Sequence, residues 1–278
     1  NQTMGGGTWI YLGNFKFTAH EQAHERIVLT NQSNKSGKII TADAIKIGGG
    51  MGNIARSPLE SPYPIEAETS GYPRFTEAAR YWLQWAGMPD SIYSKSAFHN
   101  DYQDDIYARP RWVNYLKEQA HIPIDMAFAF HSDAGTTPDD SIIGTLGIYM
   151  SKSNDGIYTN RKSREIARDL TDMIQTQILS DVRKVYNPQW SRRGMWNQSY
   201  IEARIPDVPT MLLELLSHQN FADMRYGLDP RFRFLICRAI YKGMLRYICF
   251  QNKQEPIVQP LPPDRLYTEL VETNKVRI

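Results

Sequence analysis

The sequence predicts an α/β domain, a mostly parallel sheet with helices on both faces, preceded by part of a β-sandwich. Three observations carry this. The first fifty residues are strand-like runs broken by Gly, Asn and Ser, with Trp9 to Phe17 (WIYLGNFKF) as the type. A stretch rich in Gly, Pro and Ser comes next (48–69), and beyond it apolar strands alternate with helical patterns. Such alternation is what a sheet covered by crossover helices requires.

In order, strands are expected over Trp9–Phe17, Arg26–Thr30 and Lys38–Ile47. Three strands cannot close a sandwich, so its remainder is expected upstream. Pro73 suits the first turn of a helix reaching Ala86, which Gly87 and Pro89 end. A short strand over Ser91–Ser94 and a helix over Asp105–Gln119, interrupted early by Pro110, come next. Apolar strands are expected at Ile124–Phe130, Gly144–Met150 and Val208–Leu216, with helices over Lys162–Val185 and Arg231–Phe250. The tail from Gln259 (QPLPPDRLYTEL) reads as a linker. The domains expected are 1–54, partial sandwich; 55–252, the α/β domain; and 253–278, a linker or the start of a further module.

Composition narrows the function classes. Thirty-two basic and 30 acidic residues leave a net charge of +2, no field for a polyanion, so nucleic-acid binding is not expected. No apolar run approaches the ~18 residues that span a bilayer. Cys237 and Cys249 fall in one expected helix, where twelve residues separate them by roughly 18 Å, too far for a disulfide, so both are expected in the core.

Two strands carry candidate chemistry. IDMAFAF runs into His131, and TMLLELL holds Glu214 near its end. In open α/β sheets, ligands sit beyond the carboxyl ends of strands, where such side chains converge. A carboxylate in so apolar a run is costly unless paired or functional. From spacing alone two readings stand side by side. Either the two residues form a site, or Glu214 pairs with an Arg and His131 is an ordinary strand-end histidine. A rival motif, His20-Glu21-Gln22-Ala23-His24, matches the H-E-x-x-H pattern of zinc metallopeptidases. That chemistry needs a helix, and here the motif lies between strand-like runs, so a solvated hairpin loop is the expectation. Ser132 lacks a nucleophile-elbow context. Trp9, Tyr11, Trp112, Trp190 and Trp196 are candidate sugar-stacking rings, and His218 a candidate rim residue.

Residues 104–247 resemble the zinc-dependent N-acetylmuramoyl-L-alanine amidases. The resemblance rests on the order of parts: Arg109 and Arg111 on a helix, AFAFHSDAG, SREIARDLTDMIQTQIL, VPTMLLELLSHQN and FRFLICRAIYKGMLRY. NQTMGGGTWIYLG, GKIITADAIKIGGGMGNI, GYPRFTEAARYWLQWAGMP and FHSDAGTTPDDSIIGTLGIY look like the Bacteroidetes-type multidomain form. There a golvesin C-terminal-like sandwich interrupts the amidase fold, and the label xanthan lyase is often attached. The resemblance implies a secreted or periplasmic hydrolase that cleaves the amide between N-acetylmuramic acid and L-alanine in peptidoglycan. It implies Zn2+ held by His131, with a further His and Glu expected upstream of Asn1, and Glu214 as general acid/base. Glu77 is read as a helix-surface residue, and Asp133 stands where the family usually has Asn. Two alternatives remain: a carbohydrate or cell-wall binding or scaffolding protein on a degenerate amidase fold, and a metallopeptidase using His20 and His24.

Overall fold

The computed structural model describes residues 12, 15, 17–18, 24–42, 44–45, 47, 74–97, 100–262, 268–273 and 275–277. The expected strand Trp9–Phe17, most of the H-E-x-x-H motif and the Gly- and Pro-rich boundary lie largely or wholly outside them. Within the described part of the N-terminal segment, Arg26–Thr30 and Lys38–Ala42 carry no strand pairing, and a turn at Ser36–Gly37 separates them.

From residue 74 the chain forms helices α1 (Ala79–Trp85), α2 (Asp90–Tyr93) and α3 (Asp101–Glu118), then strands β1 (Ala127–Asp133) and β2 (Thr145–Tyr149). Helix α4 (Ile166–Val185), strand β3 (Arg192–Asn197), helix α5 (Ile201–Arg204) and strand β4 (Thr210–Ser217) come after them. Helices α6 (Phe221–Gly227) and α7 (Pro230–Gln251) precede a small hairpin, β5 (Glu269–Glu272) and β6 (Lys275–Arg277). The main sheet has the order β1-β4-β2-β3. β1 runs parallel to β4 and β2 parallel to β3, while β2 and β4 are antiparallel. The fold is thus mixed α/β, with a central sheet flanked by helices.

The core is dictated by helical spacing. Leu170, Ile174, Ile178 and Val182 recur every fourth residue on α4 and are all buried. Phe232, Ile236, Ala239, Ile240 and Tyr247, three, four or seven residues apart along one face, form the buried stripe of α7. Both stripes close over Met211, Leu213 and Leu215 from one face of β4. Glycine at 243 lets the two helices touch, since a Cβ there would lie 2.6 Å from the Ile174 Cα. The indole of Trp190 is fully buried, donates its Nε1–H to Thr145 Oγ1 at 2.9 Å, and stacks edge-on against Tyr226. Trp190 is therefore core rather than a sugar-stacking ring.

Several expectations need correction. Ser91, Ile92 and Tyr93 belong to the helical turn α2, not to a strand, and Ser94 is its C-cap. Asp90 supplies an acidic first turn after Pro89, and α2 packs on α3. Helix α3 starts at Asp101 because the Asn100 side chain caps it by accepting from Gln103 N–H at 3.0 Å, and it continues through Pro110. Residues near Pro73 form only a 3-10 turn, Arg74–Thr76, and α1 begins later. Glu77 consequently sits half-buried ahead of α1, not on a helix surface. Strand β3 has no counterpart among the expected strands, because RRGMWN has little β-propensity. It is held by its parallel pairing with β2 and by Gln175 of α4, whose amide donates to Thr145 O and Gly194 O, both at 2.9 Å. Cys237 is exposed while Cys249 is buried, and both are free thiols.

Two buried aspartates pin the sheet. Before β4, Asp207 accepts from Lys117 Nζ at 2.5 Å, from Thr159 N–H at 2.9 Å and from the Thr159 hydroxyl. Burial raises its pKa, but these donors outweigh burial and hold the carboxyl below its ordinary range. After β4, Asp223 accepts backbone N–H bonds from Ile143, Gly144 and Ser217.

Two outcomes are expected. Gly243→Ala forces α4 and α7 apart and should cost about 1–3 kcal/mol in urea denaturation. Asp207→Asn should cost roughly 2–4 kcal/mol at neutral pH, since a largely buried charge pair loses one partner. The folded pKa of Asp207 lies below its unfolded value of ~3.9. The penalty is therefore complete above that value and fades as pH falls through the folded pKa. Parallel wild-type and Asp207→Asn curves from pH 7 to acid would overturn this assignment.

Candidate functional site

The site grows out of the pairing of β1 with β4. In parallel register, His131 stands directly beside Glu214. Registered neighbours point to the same sheet face, so the imidazole and the carboxyl share one surface, opposite the α4–α7 layer. On the far side of Glu214 the registered neighbour is Leu146 of β2. Glu214 therefore has one polar and one apolar flank, and Leu146, Ile148 and Leu212 form a small buried cluster beside it.

This surrounding accounts for the electrostatics. Burial raises the pKa of Glu214, the charge of Asp133 raises it further, and His131 and Arg193 pull it back in part. Its Oε2 is buried with no hydrogen-bond partner. A half-buried acid with one bare oxygen and a raised pKa is placed to exchange a proton with a neighbouring group.

His131 lies inside β1 rather than after it, because the strand is displaced toward its carboxyl end relative to expectation. Its Nε2 is 2.9 Å from Oε2 of Glu202, on the short helix α5. That hydrogen bond raises the His131 pKa, with burial opposing it. The same Glu202 oxygen takes Arg109 Nη1 at 3.1 Å, and Arg109 is itself held by Asp105 of its own helix at 3.2 Å. Glu202 is not among the residues that the sequence singles out. Arg109 enters there only as part of an arginine-bearing helix.

Asp133 pairs with Arg193 Nη1 at 2.6 Å, which brings a cation from the distant edge strand β3 toward Glu214. Ser132 and His218 meet through Oγ and Nδ1 at 3.2 Å, exposed at the rim. Of the aromatic candidates, Trp112 lines a cavity of about 830 Å³ together with Trp82, Phe130, Arg109, His131 and Glu202. Successive residues Met126 to His131 line this cavity, so it runs along the outer edge of β1. Trp196 is exposed on β3, whereas Trp9 and Tyr11 lie outside the described residues. So do His20 and Glu21, and His24 is exposed.

The available donors bear on whether a metal ion fits. The bare, buried Glu214 oxygen beside an imidazole is what part of a metal site looks like. A catalytic zinc site takes three protein ligands. Among the described residues, no group of three or more His, Cys, Asp or Glu is spaced to hold a metal. His131 and its neighbours fit a fraction of such a site and do not complete it.

The family model of the golvesin C-terminal domain matches residues 1–49. No curated protein matches the chain. Among solved structures, the chain is similar to the CwlD amidase of Clostridioides difficile, solved in complex with the GerS lipoprotein. Identity is 14%, over 57% of this chain and 70% of that one, with a TM-score of 0.42. It is also similar to the N-acetylmuramyl-L-alanine amidase Ami1 of Mycobacterium smegmatis, at 16% identity over 73% and 94%, TM-score 0.42. A third is the N-acetylmuramoyl-L-alanine amidase AmiC2 of Nostoc punctiforme, at 13% over 72% and 94%, TM-score 0.38. The chain thus carries a golvesin-like segment, and its similarity to amidase-fold enzymes is distant.

The state of the Glu214 carboxyl can be read from stability. A carboxyl with a raised folded pKa costs stability once ionised, so Glu214→Gln should stabilise the chain at neutral pH, on the order of 1 kcal/mol. Both proteins should become equal below the unfolded carboxyl pKa of ~4.3, where Glu214 is neutral in both states. Thermal unfolding at neutral and acid pH measures this directly. A variant destabilised at neutral pH would show that the ionised carboxylate has partners.

Proposed function

We propose that the domain supplies the proton-transferring part of an amide-hydrolysing site, acting on the bond between N-acetylmuramic acid and L-alanine in peptidoglycan. One observation carries this reading: Glu214, half-buried with a bare oxygen and a raised pKa, lies in register beside His131. In hydrolysis Glu214 accepts the proton of the attacking water and returns it to the departing amide nitrogen. The apolar flank of Leu146 keeps bulk water from competing for that proton. A zinc ion, if bound by His131 with donors from outside the described residues, would supply Lewis acidity. The resemblance of AFAFHSDAG and VPTMLLELLSHQN to the zinc-dependent amidases supports this assignment of roles, and with it a place in the cell envelope.

For the chain taken alone, a second reading is better supported: carbohydrate or cell-wall binding, or scaffolding, on an amidase-like fold without turnover. Its supporting observations are that Nε2 of His131 is engaged by Glu202 and that the described residues offer no three-donor cluster. The two readings are compatible if donors reach the site from another segment.

The test compares the 278-residue chain with a longer one bringing a further His and Glu, each incubated with purified sacculi. The short chain should sediment with sacculi, hold little zinc and release no stem peptide. In the longer chain His131→Ala should lower zinc content, and Glu214→Gln should keep zinc but lose roughly 10²–10⁴-fold in peptide release. Full activity in Glu214→Gln would sink the hydrolytic reading. Failure of the short chain to bind sacculi would sink the binding one.

A further inference from the structure

Neither reading above gives Glu202 a part in catalysis, yet it makes a close polar contact to His131. It sits between Tyr200 and Pro206 on a helix of one turn, Ile201–Arg204. Its side chain is 13% exposed, and that of His131 28%. One carboxylate oxygen serves both the imidazole, at 2.9 Å, and the Arg109 guanidinium, at 3.1 Å. Arg109 is in turn held to its own helix by Asp105 Oδ2 and Asp105 O. The chain of contacts is Asp105, Arg109, Glu202, His131, and it joins α3, α5 and β1. Each link limits the freedom of the next.

An imidazole has two nitrogens, and the partner of one decides what the other can do. A carboxylate has only lone pairs to offer, so Nε2 must carry the proton that joins it to Glu202. When His131 is neutral, Nδ1 is then the nitrogen with a free lone pair. Carboxylates that accept the distal N–H of a ligating histidine fix its tautomer and its ring direction. We propose that Glu202, braced by Arg109, is the positioning residue of His131: it holds the Nε2–H form, so that Nδ1 is the nitrogen His131 offers to a metal or a substrate proton. This rests on the reading of His131 as a site residue, but not on turnover. It also assigns the Glu202 contact, which counts above against a metal on Nε2, to the working arrangement.

The proposal is tested on the 278-residue chain labelled with 15N at its six histidines, using long-range 1H–15N spectra with His131→Gln for assignment. At alkaline pH, where the ring is neutral, the wild type should show a bare Nδ1. Its Nε2–H proton should resonate downfield and exchange slowly with water. Glu202→Ala should abolish the protected proton signal. Glu202→Gln, nearly isosteric and able to keep the fold should the alanine variant lose it, should move the signal upfield because a neutral acceptor bonds more weakly. A loss of packing without the hydrogen bond would not single out this one proton. The proposal is overturned if the wild type carries its proton on Nδ1, or if the Nε2–H signal is the same in wild type and Glu202→Gln. Full activity of Glu214→Gln on sacculi would remove the hydrolytic reading and leave these spectra untouched. A proton on Nδ1 would remove the part given to Glu202 and leave hydrolysis open.

Discussion

The parallel register of β1 on β4 is the constraint on which the site depends. A slip of one residue would turn His131 and Asp133 to the face that packs under α4 and α7 and separate His131 from Glu214. That register is secured from outside the two strands. Met211, Leu213 and Leu215 must face the helices for the core to close, which sends Leu212 and Glu214 to the other side. The acid is thus placed by the hydrophobic residues that alternate with it.

The ends of β4 are fixed by different chemistry. Asp207 gathers α3 and the loop at Thr159 at one end, and Asp223 gathers three backbone N–H groups at the other. Both are carboxylates surrounded by donors, as buried acids ordinarily are. Glu214, on the same strand, is the contrast. It has a bare oxygen and an apolar neighbour, and a carboxylate so placed costs stability when ionised. The satisfied aspartates hold the fold, and the unsatisfied glutamate is the acid for which a catalytic part is proposed.

Much of this was legible in the sequence. A histidine following IDMAFAF and a glutamate within TMLLELL declared themselves by being polar in apolar runs, and a parallel pairing of the two strands brings them together. Glu202 gave no such signal. Its helix is one turn long, too short for periodicity, and its partners are 71 and 93 residues away in sequence. With Arg204 two residues on, Glu202 does not even stand out as a lone charge in an apolar run. Strand β3 escaped because Arg-Arg-Gly-Met-Trp-Asn has little strand character of its own and is held by pairing with β2 and by a glutamine from α4. Ser91–Ser94 misled in the other sense, since Ile92 and Tyr93 resemble strand residues, whereas Pro89 and Asp90 start a helical turn. Tertiary partners decided each of these segments, and local pattern does not report them.

Among the described residues β1 pairs on one side only, with β4. Its other side lines the cavity shared with Trp82, Trp112 and Glu202, with the ring of Phe130 exposed. Natural sheets blunt such edges with lysine, proline or a bulge that twists the strand away. AFAFHSD has no lysine or proline, and its irregularity comes only at the last residues. A net charge of +2 over 278 residues offers little mutual repulsion between molecules. Among the described residues β1 is thus an edge of the sheet that carries neither of the usual lysine or proline guards, and a lysine at Phe130 would add one.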